Sequence, residues 1–319
     1  MGRTIFFLAL FIVPTWWILK KDYKRGFFIA LCLLCFMTSQ LSISAGPAEL
    51  TFTRAMLMVL TLYWWLWNRK QPKANRVKPL YMNFMKFWVA LVICSTLFSQ
   101  VFGDSLKWAI SFLTEVALFY VIVATSIQDE EDFWKAWKAI STAVAIAAVI
   151  GTYEYYREFN PVNEWMGVPN GKTPEETMST FQHRILFGYA SAMGWPLLLI
   201  WAYREQKKNK QRILVALSAC ALGCCYFTNS RGAWVGSAID GVLLYFLGTA
   251  KIRKTIVFML IMAVVVIVIR PGVRQTVVDL VMSTFDPTSY RGGSYYYRKE
   301  LWPMAFKLVD ASPNRMLWG

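Results

Sequence analysis

An all-α integral membrane protein with about ten transmembrane helices and an extracytoplasmic C-terminal loop is predicted by three features of the sequence. First, 56% of the 319 residues are hydrophobic and 17% charged, where a soluble domain carries about 25% charged residues. Second, crossing a bilayer takes about 20 apolar residues, and ten stretches approach that length. Third, the cations gather in alternate short loops. The net charge of +15 is therefore an orientation signal rather than a nucleic-acid footprint, and membrane lipids, not nucleic acid, are the expected surroundings.

Taken in order, the apolar cores cover residues 4–19, 27–45, 49–67, 82–102, 105–127, 137–153, 184–203, 213–228, 232–249 and 254–270. The first is followed by KKDYKR rather than a small-residue cleavage site, so it reads as an uncleaved span. Lys20, Lys21, Lys24 and Arg25 follow span one, and Arg69, Lys70, Lys73, Arg76 and Lys78 follow span three. Arg204, Lys207, Lys208, Lys210 and Arg212 follow span seven, and Lys251, Arg253 and Lys254 follow span nine. These loops share one side, which the positive-inside rule makes cytoplasmic. The acidic QDEEDFWKAWK after span five is the exception. The opposite, external side then holds residues 45–49, 103–105, the long loop 154–183, the SRG turn and the tail from Pro271. An even count puts the N-terminus outside as well. Two regions result: a polytopic membrane domain, residues 1–270, including the external loop 154–183, and an extracytoplasmic segment, residues 271–319, that reads as incomplete.

Local signals fill in the external loops. TPEE offers Thr173 as N-cap, Pro174 at the first helical position and Glu176 three residues after the cap, so a short helix is expected there. YEYYREFNPVNEW is rich in aromatics of the kind that settle at a membrane interface. In the tail, DPTSYRGG reads as turns, with Ser294 as N-cap of a helix over 295–309 interrupted by Pro303. Helical spacing puts Arg298, Trp302, Ala305 and Val309 on one face.

Several residues offer chemistry. Arg231, in TNSRGAW between spans eight and nine, stands beside Ser230 in a tight turn suited to an anion; the alternative is an arginine reaching out to headgroups. Arg298 is either an anion ligand or a surface arginine. His183, the single histidine, is a general base or a structural residue at the outer end of span seven. Tyr153, Tyr155, Tyr156 and Trp165 can stack on sugars or form an interfacial belt. Arg54, Glu115 and Asp240 lie within spans, where a charge needs a partner or a wet cavity. Pairing of Arg54 with Glu115 and of Arg231 with Asp240 is one solution; a proton or ion path is the other. The six cysteines all fall in apolar segments, and the sequence has no P-loop, no G-x-S-x-G and no Cys/His metal spacing. No metal or cofactor is expected.

The SRGAW turn after an apolar helix, YRKELW-x-x-A, and the closing ASPNRMLWG together resemble the O-antigen ligase and O-antigen polymerase superfamily of bacterial membrane glycosyltransferases. TFQHRILFG is similar to a pattern of polymerase members that act on exopolysaccharides. The resemblance runs from about span four to the end of the chain. It implies a multi-pass enzyme of the bacterial cytoplasmic (inner) membrane, active on its extracytoplasmic face. The donor implied is an undecaprenyl-pyrophosphate-linked glycan, and the acceptor a glycan or lipid hydroxyl, in surface polysaccharide or exopolysaccharide assembly. Other polysaccharide-assembly proteins are implied as partners. Carried over by motif, Arg231 and Arg298 hold the pyrophosphate, with Ser230 and Trp302 beside them. Members of the superfamily continue past the position of Gly319 with a turn, a histidine and closing helices, so this chain is expected to be a truncated form, inactive as it stands unless His183 serves as base. Polymerase and ligase both stay open, as do two rivals: a transporter of a small solute lined by Glu115, Arg54 and Asp240, and a non-catalytic binding fragment.

Overall fold

The computed structural model describes residues 2–36, 42–45, 48–72, 78–166, 177–181, 183–286 and 290–310. They form two compact units, residues 1–77 with 122–260 and residues 78–121 with 261–319. Helices dominate: α1 (Gly2–Lys20), α2 (Tyr23–Phe36), α3 (Phe52–Lys70), α4 (Met82–Leu97), α5 (Phe102–Ser111), a π-helical stretch (Phe112–Leu118), α6 (Phe119–Ser126) and α7 (Glu130–Arg157). They continue as α8 (Pro161–Met166), α9 (Arg184–Arg204), α10 (Lys208–Phe227), α11 (Arg231–Leu247), α12 (Ala250–Ile269), α13 (Pro271–Phe285) and α14 (Tyr290–Asp310). One antiparallel hairpin, β1 (Ser42–Ala45) and β2 (Ala48–Thr51), precedes α3.

Four helical segments among the described residues are long and apolar enough to cross a membrane: Phe102–Ser126, Glu130–Arg157, Arg184–Arg204 and Ala250–Ile269. The structure thus supports a helical membrane protein. The second expected span, 27–45, divides instead into α2, which ends at Phe36, and strand β1. At 14 residues α2 is about 21 Å long, short of the roughly 30 Å hydrocarbon core. In the tail, the helix expected from Tyr295 begins at Tyr290 and runs through both glycines, so Ser294 is not its N-cap. A further helix, α13, occupies the stretch before it, with Pro271 at its first position, where a missing N–H costs nothing. The helix expected from TPEE lies outside the described residues.

In the larger unit α9 is central, packed by α7, α10 and α11. Between helices in lipid there is little hydrophobic drive, and close packing of small residues takes its place. The sequence supplies them: Ala143, Ala147, Ala148 and Gly151 are buried on α7, and Gly188, Ser191, Ala192 and Gly194 on α9. Phe187, Leu198, Leu199, Leu214 and Cys224 fill the space between, all nearly inaccessible. The smaller unit packs α4 against α5 and the π-helical stretch, and α13 against α14.

The basic connectors of the larger unit meet at one end of it. Lys24 pairs with Asp132 at the start of α7. Arg204 lies 3.8 Å from Glu130 and 3.7 Å above the Trp134 ring. Tyr203 bonds Thr255 near the start of α12. Tyr23, at the start of α2, stacks at 4.3 Å on Trp67 near the end of α3. These contacts also explain the acidic exception. Glu130, Glu131 and Asp132 form the first turn of α7 behind the N-cap Asp129, whose side chain accepts the Asp132 N–H at 2.7 Å. Carboxylates there complement the helix dipole.

The Lys24–Asp132 pair joins the N-terminal helices to the main bundle, and the Asp132 side chain is only 2% exposed. Lys24→Met should leave that carboxylate buried without its cation, at a cost of about 3 kcal/mol. Thermal unfolding of the detergent-purified protein measures it; an unchanged midpoint would show the pair to be dispensable.

Candidate functional site

The turn between α10 and α11 lies at the end of the larger unit opposite the basic connectors. α9 spans the distance: its N-terminus packs on the turn and its C-terminus, 21 residues on, about 30 Å away, carries Arg204. The turn is buried rather than exposed as a surface loop would be. Thr228, Asn229 and Ser230 are 0%, 6% and 7% accessible. Gly188 makes this possible. A Cβ there would come within 2.8 Å of the Thr228 hydroxyl and 2.9 Å of Ala233 Cβ, so only glycine lets the α9 backbone approach so closely.

Most of the turn's backbone donors are already used. Thr228 N donates to Cys224 O at 3.0 Å and Asn229 N to Tyr226 O at 3.0 Å. The Thr228 hydroxyl donates to Cys225 O at 2.9 Å, and Trp234 Nε1 donates to the same carbonyl at 2.8 Å. Asn229 takes the left-handed conformation, φ 51°, which asparagine tolerates better than most residues. Ser230 holds the N-cap position of α11 but makes no capping bond with its side chain. An anion at this turn therefore depends on the Ser230 hydroxyl and the Arg231 guanidinium, not on a ring of free amides. Arg231 is half-buried and is the first residue of α11, whose first turn has no acidic residue. A cation at a helix N-terminus adds to the positive end of the dipole, and an anion there relieves both.

Aromatic rings border the turn. Trp234 stacks on Tyr226 at 5.8 Å, and Tyr155 lies flat on Phe227 at 4.0 Å and 12°. Tyr155 is thus a packing residue of the α7–α10 contact, whereas Tyr156 is 65% and Tyr153 46% exposed. The Trp165 side chain lies outside the described part of the structure.

His183 is exposed and caps α9, its Nδ1 accepting the Ile185 N–H at 3.2 Å. That lone pair is the one a general base would use, so capping and base catalysis compete in this conformation. Sequence reasoning passed over the cap because serine, threonine, aspartate and asparagine are the usual N-cap residues.

The other singled-out charges stand on other elements or further along α11. Arg231 and Asp240 share α11, nine residues and about 13.5 Å of rise apart and half a turn around. They cannot form the expected pair. Arg54 follows the capped start of α3, where Thr51 accepts its N–H at 3.2 Å. Glu115 falls in the π-helical stretch of the other unit, a feature the sequence did not announce. Arg298 and Trp302 also belong to that other unit, on α14. Trp302 is 65% exposed with its ring 6.0 Å from Phe306; the side chain of Arg298 lies outside the described part.

Residues 216–315 match the family described as O-Antigen ligase. This stretch of the chain is similar to O-antigen ligases. It reaches from within α10, across the SRG turn, to beyond α14, and so includes both Arg231 and Arg298. The resemblance to the O-antigen ligase and polymerase superfamily is thereby supported, and with it a membrane function of that kind. No curated protein and no solved structure matches the chain.

If His183 serves α9 as a cap, His183→Ala should cost about 1 kcal/mol and His183→Asn, which restores a side-chain acceptor, much less. Melting curves of the two variants in one detergent decide it; equal losses would reject the cap.

Proposed function

We propose that the chain acts as a membrane glycosyltransferase of the O-antigen polymerase or ligase type. It transfers an undecaprenyl-pyrophosphate-linked glycan to an acceptor hydroxyl on the extracytoplasmic face of the bacterial cytoplasmic membrane. The O-antigen ligase match over residues 216–315 carries this reading, and the buried, arginine-bordered turn inside that match supports it.

In the proposed reaction the acceptor oxygen attacks the anomeric carbon and the bond from that carbon to the phosphate oxygen breaks, with inversion. The electron pair leaves with the pyrophosphate, and the acceptor proton passes to a base. Arg231 binds the departing phosphate through two parallel N–H groups, and the Ser230 hydroxyl adds a third donor. Arg298, four residues before Trp302 on α14, takes the second arginine role that the family motif assigns. Arg231 acts on charge that grows as the bond breaks, which is where a preorganised donor accelerates the step.

Arg231→Lys keeps the charge but loses the bidentate fork. One charge-assisted hydrogen bond is worth about 1.5 to 3 kcal/mol, so glycan transfer should fall roughly 10- to 150-fold. Cells lacking the native gene, complemented with Arg231→Lys, Arg231→Ala or Arg298→Lys at matched protein levels, would be compared for polymerised or ligated glycan on gels. Wild-type output from all three variants would reject the assignment of both arginines.

A further inference from the structure

We infer that the basic end of the larger unit holds a binding site for an anionic phospholipid, formed where α9 passes into α10. The cations there fall into two groups. Some are committed within the protein. Lys210 pairs with Glu205 at 2.7 Å and holds that carboxyl below its ordinary range through this hydrogen bond. Arg204 is placed on Glu130 and the Trp134 ring, and Arg253 donates to the Gly248 carbonyl at 3.1 Å. Lys207 and Lys208 are exposed and, among the described residues, have no carboxylate within ion-pair distance.

These two lysines do not stand on a convex surface. Together with Asn209, Lys210 and Ile213 they line an open recess of about 540 Å³. Its apolar lining residue is Ile213, just over one turn into α10 and 60% exposed. On α12, whose start meets α9 through the Tyr203–Thr255 hydrogen bond, Phe258 is another exposed apolar residue, at 62%. A cationic mouth above an apolar wall matches an amphiphile, phosphate at the lysines and acyl chain along Ile213. A soluble acidic partner would leave these apolar residues in water. Trp201, with the Lys210 ammonium 5.3 Å from its ring centre, marks the depth at which a headgroup lies, since indoles settle at the membrane interface. The inference does not rest on the glycosyltransferase reading.

The test uses the full chain purified in detergent and titrated with phosphatidylglycerol or phosphatidylcholine under native mass spectrometry. Phosphatidylglycerol should remain bound through activation and phosphatidylcholine should not. At the strength with which juxtamembrane cations attract an anionic surface, the Lys207→Gln/Lys208→Gln variant should bind phosphatidylglycerol about 30-fold more weakly. The Lys207→Arg/Lys208→Arg variant should keep binding, and Lys86→Gln/Lys299→Gln, which removes two exposed lysines of the other unit, should leave it unchanged. Equal loss from the Lys86/Lys299 variant would show a general charge effect and overturn the site. Displacement of the lipid by millimolar inorganic phosphate would show a free-anion site and overturn it equally.

Discussion

The approach of α9 to the α10–α11 turn at Gly188 is the contact on which the rest of the site depends. Without a side chain at that position, Thr228, Ser230 and Ala233 can lie against the α9 backbone. The turn is then drawn beneath the bundle surface, and its polar groups must be satisfied internally. They are, through Cys224, Cys225 and Tyr226 of the preceding helix. Ser230 makes no side-chain capping bond, and Arg231 follows it as the first residue of α11. The same logic runs along the helix pair, where Gly194 faces Val144 so closely that a side chain would displace it. In lipid, packing of this kind replaces the solvent-driven burial that holds soluble domains together.

A second constraint is polarity along the bundle axis. Salt bridges, cation–aromatic contacts and free lysines all collect at the end where α7 begins and α9 stops. The other end offers tyrosines, a buried polar turn and Arg231. Since α9 runs the length of the unit between them, the two ends are separated by roughly one bilayer thickness. The lipid site inferred at the first end and the transfer chemistry proposed at the second therefore occupy opposite surfaces and need not compete for the same phosphate.

Much of this was legible in the residues. Apolar runs located α7, α9 and α12 closely, because about twenty successive apolar residues leave a compositional trace that needs no partner to read. The SRG turn was legible as a junction for the same reason. Its burial was not, since that follows from Gly188, some forty positions earlier and adjacent only in space. The π-helical stretch sits inside an apolar run that reads as continuous helix, and the β1–β2 hairpin straddles the junction of two such runs around the expected loop 45–49. α13 could have been found from Pro271, which suits a first helical position, but the basic and polar residues after it suggested a loop. The Arg231–Asp240 pairing failed because nine residues along one helix set the two side chains about 13.5 Å apart and on opposite faces.

The two arginines that touch the ends of α11 stand in opposite electrostatic settings. Arg253 lies just past the C-terminus and donates to the carbonyls of Gly248, at 3.1 Å, and Phe246, at 3.3 Å. A cation there satisfies orphan acceptors and opposes the negative end of the dipole, so the helix itself explains it. Arg231 stands at the opposite terminus, where the same reasoning runs in reverse. The N-terminal amides and the guanidinium are of like sign, the first turn supplies no carboxylate, and Ser230 gives no side-chain cap. Helix stability alone would favour an acidic residue in this first turn over arginine. In the reaction proposed above, the phosphate supplies the negative charge that both the guanidinium and the helix terminus favour.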